Sequence, residues 1–159
     1  MKKFFLVFFL ISALNSNLFA ASSSSGSSTK SNYDQAVKLI KSAKNYEKKG
    51  KLDKATKRYE KAFKLLIKSN KKKPSQPDTL NYLGFTSRKI GNYEVAEKYY
   101  LEGLAIDPNH NGINEYLGEL YVKTNRIEKA KERLEVLKNC NCEEFQELNN
   151  VINSGISKY

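Results

Sequence analysis

The fold is decided by residues 80–108, which read LNYLGFTSRKIGNYEVAEKYYLEGLAIDP. Apolar residues recur three or four positions apart in two runs, a spacing that gives each of two amphipathic helices one buried stripe. Asn92 is suited to begin the second helix, and Asp107-Pro108-Asn109 ends it abruptly. These residues therefore predict two helices joined by a short turn.

The same pattern returns 34 residues further along the chain. Leu83-Gly84 aligns with Leu117-Gly118, Ala96 aligns with Ala130, and Asn125 is expected at a helix start like Asn92. An earlier, more divergent copy contains Tyr46, Ala55, Tyr59 and Ala62. Self-similarity at a fixed period indicates a repeat architecture.

Small residues hold corresponding places in the copies. Gly84 and Gly118 leave no bulk on the first helix of a pair, and Ala96 and Ala130 do the same on the second. We therefore expect these small residues to face one another where the two helices approach closely.

These residues resemble the tetratricopeptide repeat, in which Leu-Gly, a later Ala, an aromatic and an exit Pro recur. The resemblance implies an all-α protein, a right-handed helical-repeat solenoid of three helix pairs at 36–69, 77–110 and 111–144. An amphipathic stretch at 143–154 is expected to cap the last pair, because solenoid ends otherwise expose apolar surface. Residues 70–76 are expected to form a basic insertion loop or to lengthen the preceding helix.

The N-terminal residues carry a different signal. Lys2 and Lys3 precede an apolar run that begins at Phe4, and the stretch closes at Ala20, which predicts a signal peptide over 1–20 or, alternatively, an uncleaved anchor. The Ser-rich residues 21–35 are expected to be a flexible tether. We expect export to a bacterial periplasm, with no transmembrane segment after signal cleavage.

The composition offers little material for catalysis. His110 is the single histidine and is expected in a turn, and no Gly-rich phosphate loop or nucleophile–base set is visible. Carboxylates sit three or four residues from basic side chains, as in surface pairs on helices. We therefore expect no enzyme activity, no cofactor and no metal site.

The net charge is concentrated in one part of the chain. Residues 36–76 carry 15 basic and 3 acidic side chains, whereas 77–159 are close to balance. This basic first repeat either attracts an anionic partner, such as an acidic protein, a lipid headgroup or a wall polymer, or merely solvates the outer helix faces. No nucleic-acid motif is present, so nucleic acid is not expected.

Cys140 and Cys142 are the two cysteines of the chain and lie one residue apart. In an oxidising compartment a disulfide between them is expected. Buried thiols, an intermolecular bridge and metal binding remain the alternatives.

In tetratricopeptide-repeat proteins, the first helices of successive repeats line a concave surface that binds peptides or partner helices. Carried over by position, the resemblance implies that this surface comprises Val37, Ile40, Lys44, Glu47, Asp78, Asn81, Phe85, Arg88, Glu115, Glu119 and Val122. The Lys and Asn pattern with which chaperone-binding repeats hold a terminal carboxylate is missing, since Ile40, Tyr82, Gly112 and Tyr116 stand at key places.

The sequence thus favours a non-catalytic adaptor that binds an unknown protein or peptide of the cell envelope in its concave groove. One alternative is a redox or metal-handling protein whose activity resides at Cys140 and Cys142. The other is a peripheral envelope protein that its basic first repeat holds electrostatically.

Overall fold

The computed structural model describes residues 30–155, which form seven α-helices and no strand. The predicted signal peptide and residues 21–29 of the predicted tether lie outside this range. The helices are α1 (Asn32–Lys48), α2 (Leu52–Lys72), α3 (Pro77–Lys89), α4 (Tyr93–Ile106), α5 (Asn111–Lys123), α6 (Ile127–Leu137) and α7 (Glu143–Ser154).

The helices pack as three successive hairpins, α1 with α2, α3 with α4 and α5 with α6. Each new first helix also contacts the second helix of the hairpin before it. This arrangement confirms the predicted all-α helical-repeat solenoid. None of the helices among residues 30–155 is long and apolar enough to cross a membrane.

The turns between paired helices share a left-handed residue. Gly50, Gly91 and Asn125 have φ angles of 67°, 88° and 58°, a region that glycine adopts freely and asparagine tolerates best among the other residues. Asn125 therefore takes the place of Gly91 in its turn, and the prediction that it begins a helix is wrong. Asn92 does precede α4 directly, although its side chain donates or accepts no capping hydrogen bond.

The nearest neighbours of Gly84 and Gly118 are large side chains rather than the small residues that the sequence predicted. A Cβ atom on Gly84 would lie 2.4 Å from a ring carbon of Tyr100, and one on Gly118 would lie 2.5 Å from a methyl group of Leu148. Tyr100 and Leu148 are both fully buried. Each glycine therefore accommodates a large buried side chain, which is Tyr100 of the paired helix α4 for Gly84 and Leu148 of the capping helix for Gly118.

Two predicted boundaries need correction. α1 begins at Asn32, inside the predicted tether, because the Ser31 hydroxyl accepts a hydrogen bond of 3.1 Å from the Asp34 backbone and caps the helix. α2 extends to Lys72, so the predicted insertion loop 70–76 is divided between helix and a short connection over 73–76. A longer α2 and a short loop were the two structures expected for residues 70–76, and both are present.

α7 is the predicted capping helix. Its buried side chains, Leu148 and Val151, cover α5 and α6, and it contacts α5 more extensively than α6. In the hairpins before it the reverse holds, because α3 and α5 each contact the second helix of the preceding hairpin more extensively than its first helix. α7 therefore leans toward the row of first helices, α1, α3 and α5.

Candidate functional site

A layer of aromatic and charged side chains covers the row of first helices. Lys44 of α1 places its Nζ atom 4.8 Å from the centre of the Phe85 ring on α3 and 3.5 Å from the Tyr116 hydroxyl on α5. The Phe85 and Tyr116 rings are themselves in contact, with centroids 4.9 Å apart. One lysine thus links three helices that belong to three different repeats.

A buried ion pair extends this layer. The Arg88 guanidinium donates to the Glu119 carboxylate at 2.7 Å, and the two side chains are 6% and 0% exposed. The guanidinium also lies 5.7 Å from the Phe85 ring centre and 5.6 Å from that of Tyr116. Removal of either partner would leave the other charge buried and uncompensated, which is costly. The pair therefore stabilises the packing of α3 against α5.

Glu47 connects the first two repeats. Its carboxylate accepts a hydrogen bond of 2.9 Å from the Tyr59 hydroxyl and forms an ion pair with Lys89. Burial first, and then the hydrogen bond and negative charge of Glu47, raises the pKa of Tyr59. Tyr59 therefore remains a protonated donor to this carboxylate.

α7 contributes acidic side chains to the same layer. Burial raises the pKa of Glu115 well above its usual range, and a hydrogen bond with Glu147 and the nearby charges of Glu119 and Glu144 raise it further. Burial also lowers the pKa of Lys44, while Glu115, Glu147 and Glu119 partly offset that effect. Carboxyl groups from two helices thus converge on one lysine of α1.

The predicted concave residues differ in their exposure. Those that are buried are Ile40, Asn81, Phe85, Arg88, Glu115 and Glu119, and those that are half-buried are Val37, Lys44, Glu47 and Val122. Asp78 is exposed, with its carboxylate 3.1 Å from a ring nitrogen of His110. The row of first helices brings these residues together, but six of them are covered by neighbouring side chains rather than open to a partner.

Three contributors to this layer were not predicted. Tyr116 and Lys89 each follow a predicted concave residue directly in the sequence and turn toward the preceding repeat, whereas Glu147 belongs to the capping helix. Helical spacing marks the first two as neighbours of the groove. The sequence holds no comparable signal for the lean of α7.

A family model of the tetratricopeptide repeat matches residues 34–109, which contain the first two hairpins. A third hairpin, formed by α5 and α6, and the capping helix α7 follow this range in the structure. Residues 34–109 thus belong to the tetratricopeptide-repeat family, and the described structure has the fold of that family.

Solved structures of other tetratricopeptide-repeat proteins share this fold. The second such domain of human RPAP3, solved with an HSP70 peptide, is 18% identical, with a TM-score of 0.54 over 77% of this chain and 98% of that one. The type III secretion translocator chaperone SycD of Yersinia enterocolitica is 22% identical, with a TM-score of 0.53 over 77% of this chain and 81% of that one.

One curated relative matches at the level of sequence. The uncharacterized protein ycf37 of Guillardia theta is 39% identical over 59 residues, which are 36% of this chain. The match spans only 33% of that relative's length. It therefore concerns about a third of each protein.

Clefts remain open at both ends of the packed layer. The first, which we name the turn-edge cleft, has a volume of about 550 Å³ and is lined by Leu52, Arg88, Lys89, Tyr93, Val122 and Val151. The second, of about 500 Å³, is bordered mainly by polar side chains, among them Asn81, His110, Glu115, Tyr116 and Glu144. The imidazole of His110 accepts a hydrogen bond of 3.2 Å from the Ile113 backbone and caps α5.

The two cysteines lie where α6 passes into α7. They are joined by a disulfide, with Cα atoms 5.2 Å apart, and Cys142 directly precedes the first residue of α7. Asn141 between them has a φ angle of 50°, which reverses the chain locally. No group of three or more metal-ligating side chains lies together within residues 30–155.

Proposed function

We propose that this protein is a non-catalytic adaptor that binds a peptide or helix of a partner protein at the turn-edge cleft of its concave side. The tetratricopeptide-repeat fold supports an interaction module, since stacked helix pairs present extended binding surfaces. The structure of human RPAP3 with an HSP70 peptide illustrates peptide binding by a domain of this fold.

The observation that carries the proposal is the exposed apolar lining of the turn-edge cleft. Leu52 is 64% exposed and Tyr93 is 37% exposed, and these two residues begin the second helices α2 and α4. Val122 and Val151 extend this apolar surface, and the charged groups of Lys89 and Glu47 border it. Apolar pockets with a few charged groups are typical binding sites.

The lining also limits the class of partner. The exposed side chains of Leu52 and Tyr93 favour a partner segment that presents a bulky apolar residue to the cleft. A terminal carboxylate clamp is not part of the proposal. Ile40 has a buried apolar side chain and Tyr116 carries no positive charge, so neither place supplies the Lys or Asn group of such a clamp.

We further propose that the adaptor works in a bacterial cell envelope, at the periplasmic side. The basic and apolar pattern of residues 1–20 supports export, and the Cys140–Cys142 disulfide suits an oxidising compartment. We assign that disulfide a structural role, because it spans the connection that sets the start of α7.

Photo-crosslinking in cells tests the proposal. A photoreactive residue replaces Val122 in the cleft of the full chain, or Lys98 on the exposed face of α4 as a control. We expect a discrete partner at position 122 that is missing at position 98.

A matched pair of variants makes the test specific. Leu52→Glu with Tyr93→Glu should reduce the crosslink at least tenfold, while Val95→Glu with Leu101→Glu changes equally exposed apolar residues outside the cleft and should retain it. Equal loss in both variants, or a crosslink that survives the cleft substitutions, would contradict the proposal.

A further inference from the structure

The second helix of the first repeat carries one continuous row of lysines. These are Lys54, Lys57, Lys61, Lys64, Lys68 and Lys71, which we name the α2 stripe. The spacing alternates between three and four residues, so all six lie along one face over about 26 Å of helix. Each of the six is exposed.

The opposite face of α2 explains why the stripe points outward. Ala55, Tyr59, Ala62 and Leu66 are buried and follow the same alternation of four and three residues. Packing this apolar face against α1 and α3 leaves the lysines no other direction than solvent. The stripe therefore lies on the second helix, away from the row of first helices and from their packed charged layer.

The charges of the stripe are not neutralised within residues 30–155. None of the six lysines forms an ion pair, whereas basic residues of the later repeats do, as in Arg126 with Glu97, Lys131 with Glu128 and Lys138 with Glu135. The acidic residues of α2, Asp53 and Glu60, lie beside the stripe rather than within it. Like charges at this spacing repel each other, so the row is unfavourable unless an external anion meets it.

The chemistry of the stripe favours a diffuse anionic surface. Lysine presents a mobile point charge, whereas arginine is the residue that reads individual phosphates or carboxylates by paired hydrogen bonds, and the six positions are all lysine. A straight row of charges along one helix face can contact a flat anionic surface along its whole length. The basic and apolar N-terminal segment, predicted to engage a membrane during export, also precedes the first repeat in the chain and is separated from it by the Ser-rich residues 21–31.

We propose that the α2 stripe docks the protein on the surface of an anionic lipid bilayer. The contact is electrostatic, because no large apolar side chain interrupts the row for insertion between lipids. It leaves the turn-edge cleft free, so this inference stands independently of the adaptor function.

Vesicle sedimentation tests the proposal with the full chain. Phosphatidylcholine vesicles with roughly 30% phosphatidylglycerol supply the negative surface potential, and pure phosphatidylcholine vesicles are the reference. We expect binding to the anionic vesicles alone, and a loss of at least about tenfold when the salt concentration rises from roughly 0.1 M to 0.5 M.

Two triple variants separate the stripe from net charge. Lys54→Glu, Lys61→Glu and Lys68→Glu reverse the centre of the stripe, whereas Lys98→Glu, Lys123→Glu and Lys131→Glu make the same change at exposed lysines elsewhere. We expect binding to fall on the order of 100-fold or more in the first variant and much less in the second. The neutral glutamine versions repeat the comparison should the reversed charges disturb folding.

Either of two outcomes would overturn the proposal. Equal losses in the two triple variants would mean that net charge alone attracts the protein. Binding to a soluble polyanion such as polyphosphate, without binding to the anionic vesicles, would assign the stripe to a polymer instead of a bilayer.

Discussion

Gly84→Ala should destabilise the protein because of the ring that covers this glycine. The new Cβ atom would lie 2.4, 2.5 and 2.8 Å from three ring carbons of Tyr100. The ring is fully buried and packs within the core that α4 and α5 share, so it has no space into which to rotate. The Tyr100 ring or the backbone of a neighbouring helix must therefore shift to relieve the overlap.

The magnitude follows from two opposing effects. Alanine favours a helix interior over glycine by about 1 kcal/mol, while overpacking of a core costs about 1–3 kcal/mol. Since three contacts fall below 3 Å, the cost belongs at the upper end of that range. We expect a net loss of about 2 kcal/mol in the free energy of unfolding, measured by urea denaturation.

A second substitution checks the mechanism. In a Tyr100→Leu background the shorter side chain relieves the contact, so Gly84→Ala should be neutral or stabilising by up to about 1 kcal/mol there. Gly91→Ala is the control. Nothing lies within 4 Å of its added Cβ atom and its φ angle is 88°, so its backbone strain should be the same in both backgrounds. Equal losses from Gly84→Ala with and without the tyrosine ring would refute the packing argument.

Three further predictions concern the charged layer. The proton that the buried Glu115 carboxyl retains in the folded state is released on unfolding above pH 4.5, so stability should fall as the pH rises from there toward the raised folded pKa. The free energy of unfolding, measured by urea denaturation between pH 5 and 9, should fall by up to about 1.4 kcal/mol per pH unit, and Glu115→Gln should remove this dependence. Tyr59→Phe should lower the free energy of unfolding by about 1.5 kcal/mol, since it removes the hydrogen bond to the Glu47 carboxylate; an unchanged thermal midpoint would contradict this. Arg88→Met should cost about 3 kcal/mol by leaving the Glu119 charge buried alone, and adding Glu119→Leu should recover most of the loss in urea denaturation; strictly additive losses would exclude the pair as the cause.

The repeated hairpins could be predicted because their signal is local. Helix periodicity and a 34-residue repeat depend on each residue's own neighbours along the chain. The contact between Gly84 and Tyr100 could not be predicted in the same way, because it depends on the rotation of one helix against another. Asn125 shows the same limit, since asparagine suits both a helix start and a left-handed turn.

The position of the candidate site was predictable, whereas its accessibility was not. The repeat register brings Lys44, Phe85 and Arg88 onto the row of first helices. Their burial depends on long side chains from other repeats, such as Tyr116, and on the lean of α7. These are contacts between residues 30 or more positions apart, and no short-range pattern encodes them.

The basic residues of the chain lie in two different environments in the fold. On the row of first helices, Lys44 and Arg88 meet carboxylates from α5 and α7, and Lys89 meets Glu47. Glu115, Glu119 and Glu147 therefore lie on the inner face, where burial makes unpaired charge costly. None of the ion pairs described among residues 30–155 includes a lysine of the α2 stripe, so these lysines repel one another with only Asp53 and Glu60 beside them. Six of the 15 basic residues of 36–76 thus lie along one outer surface, where an external anion can relieve their repulsion without disturbing the packed layer.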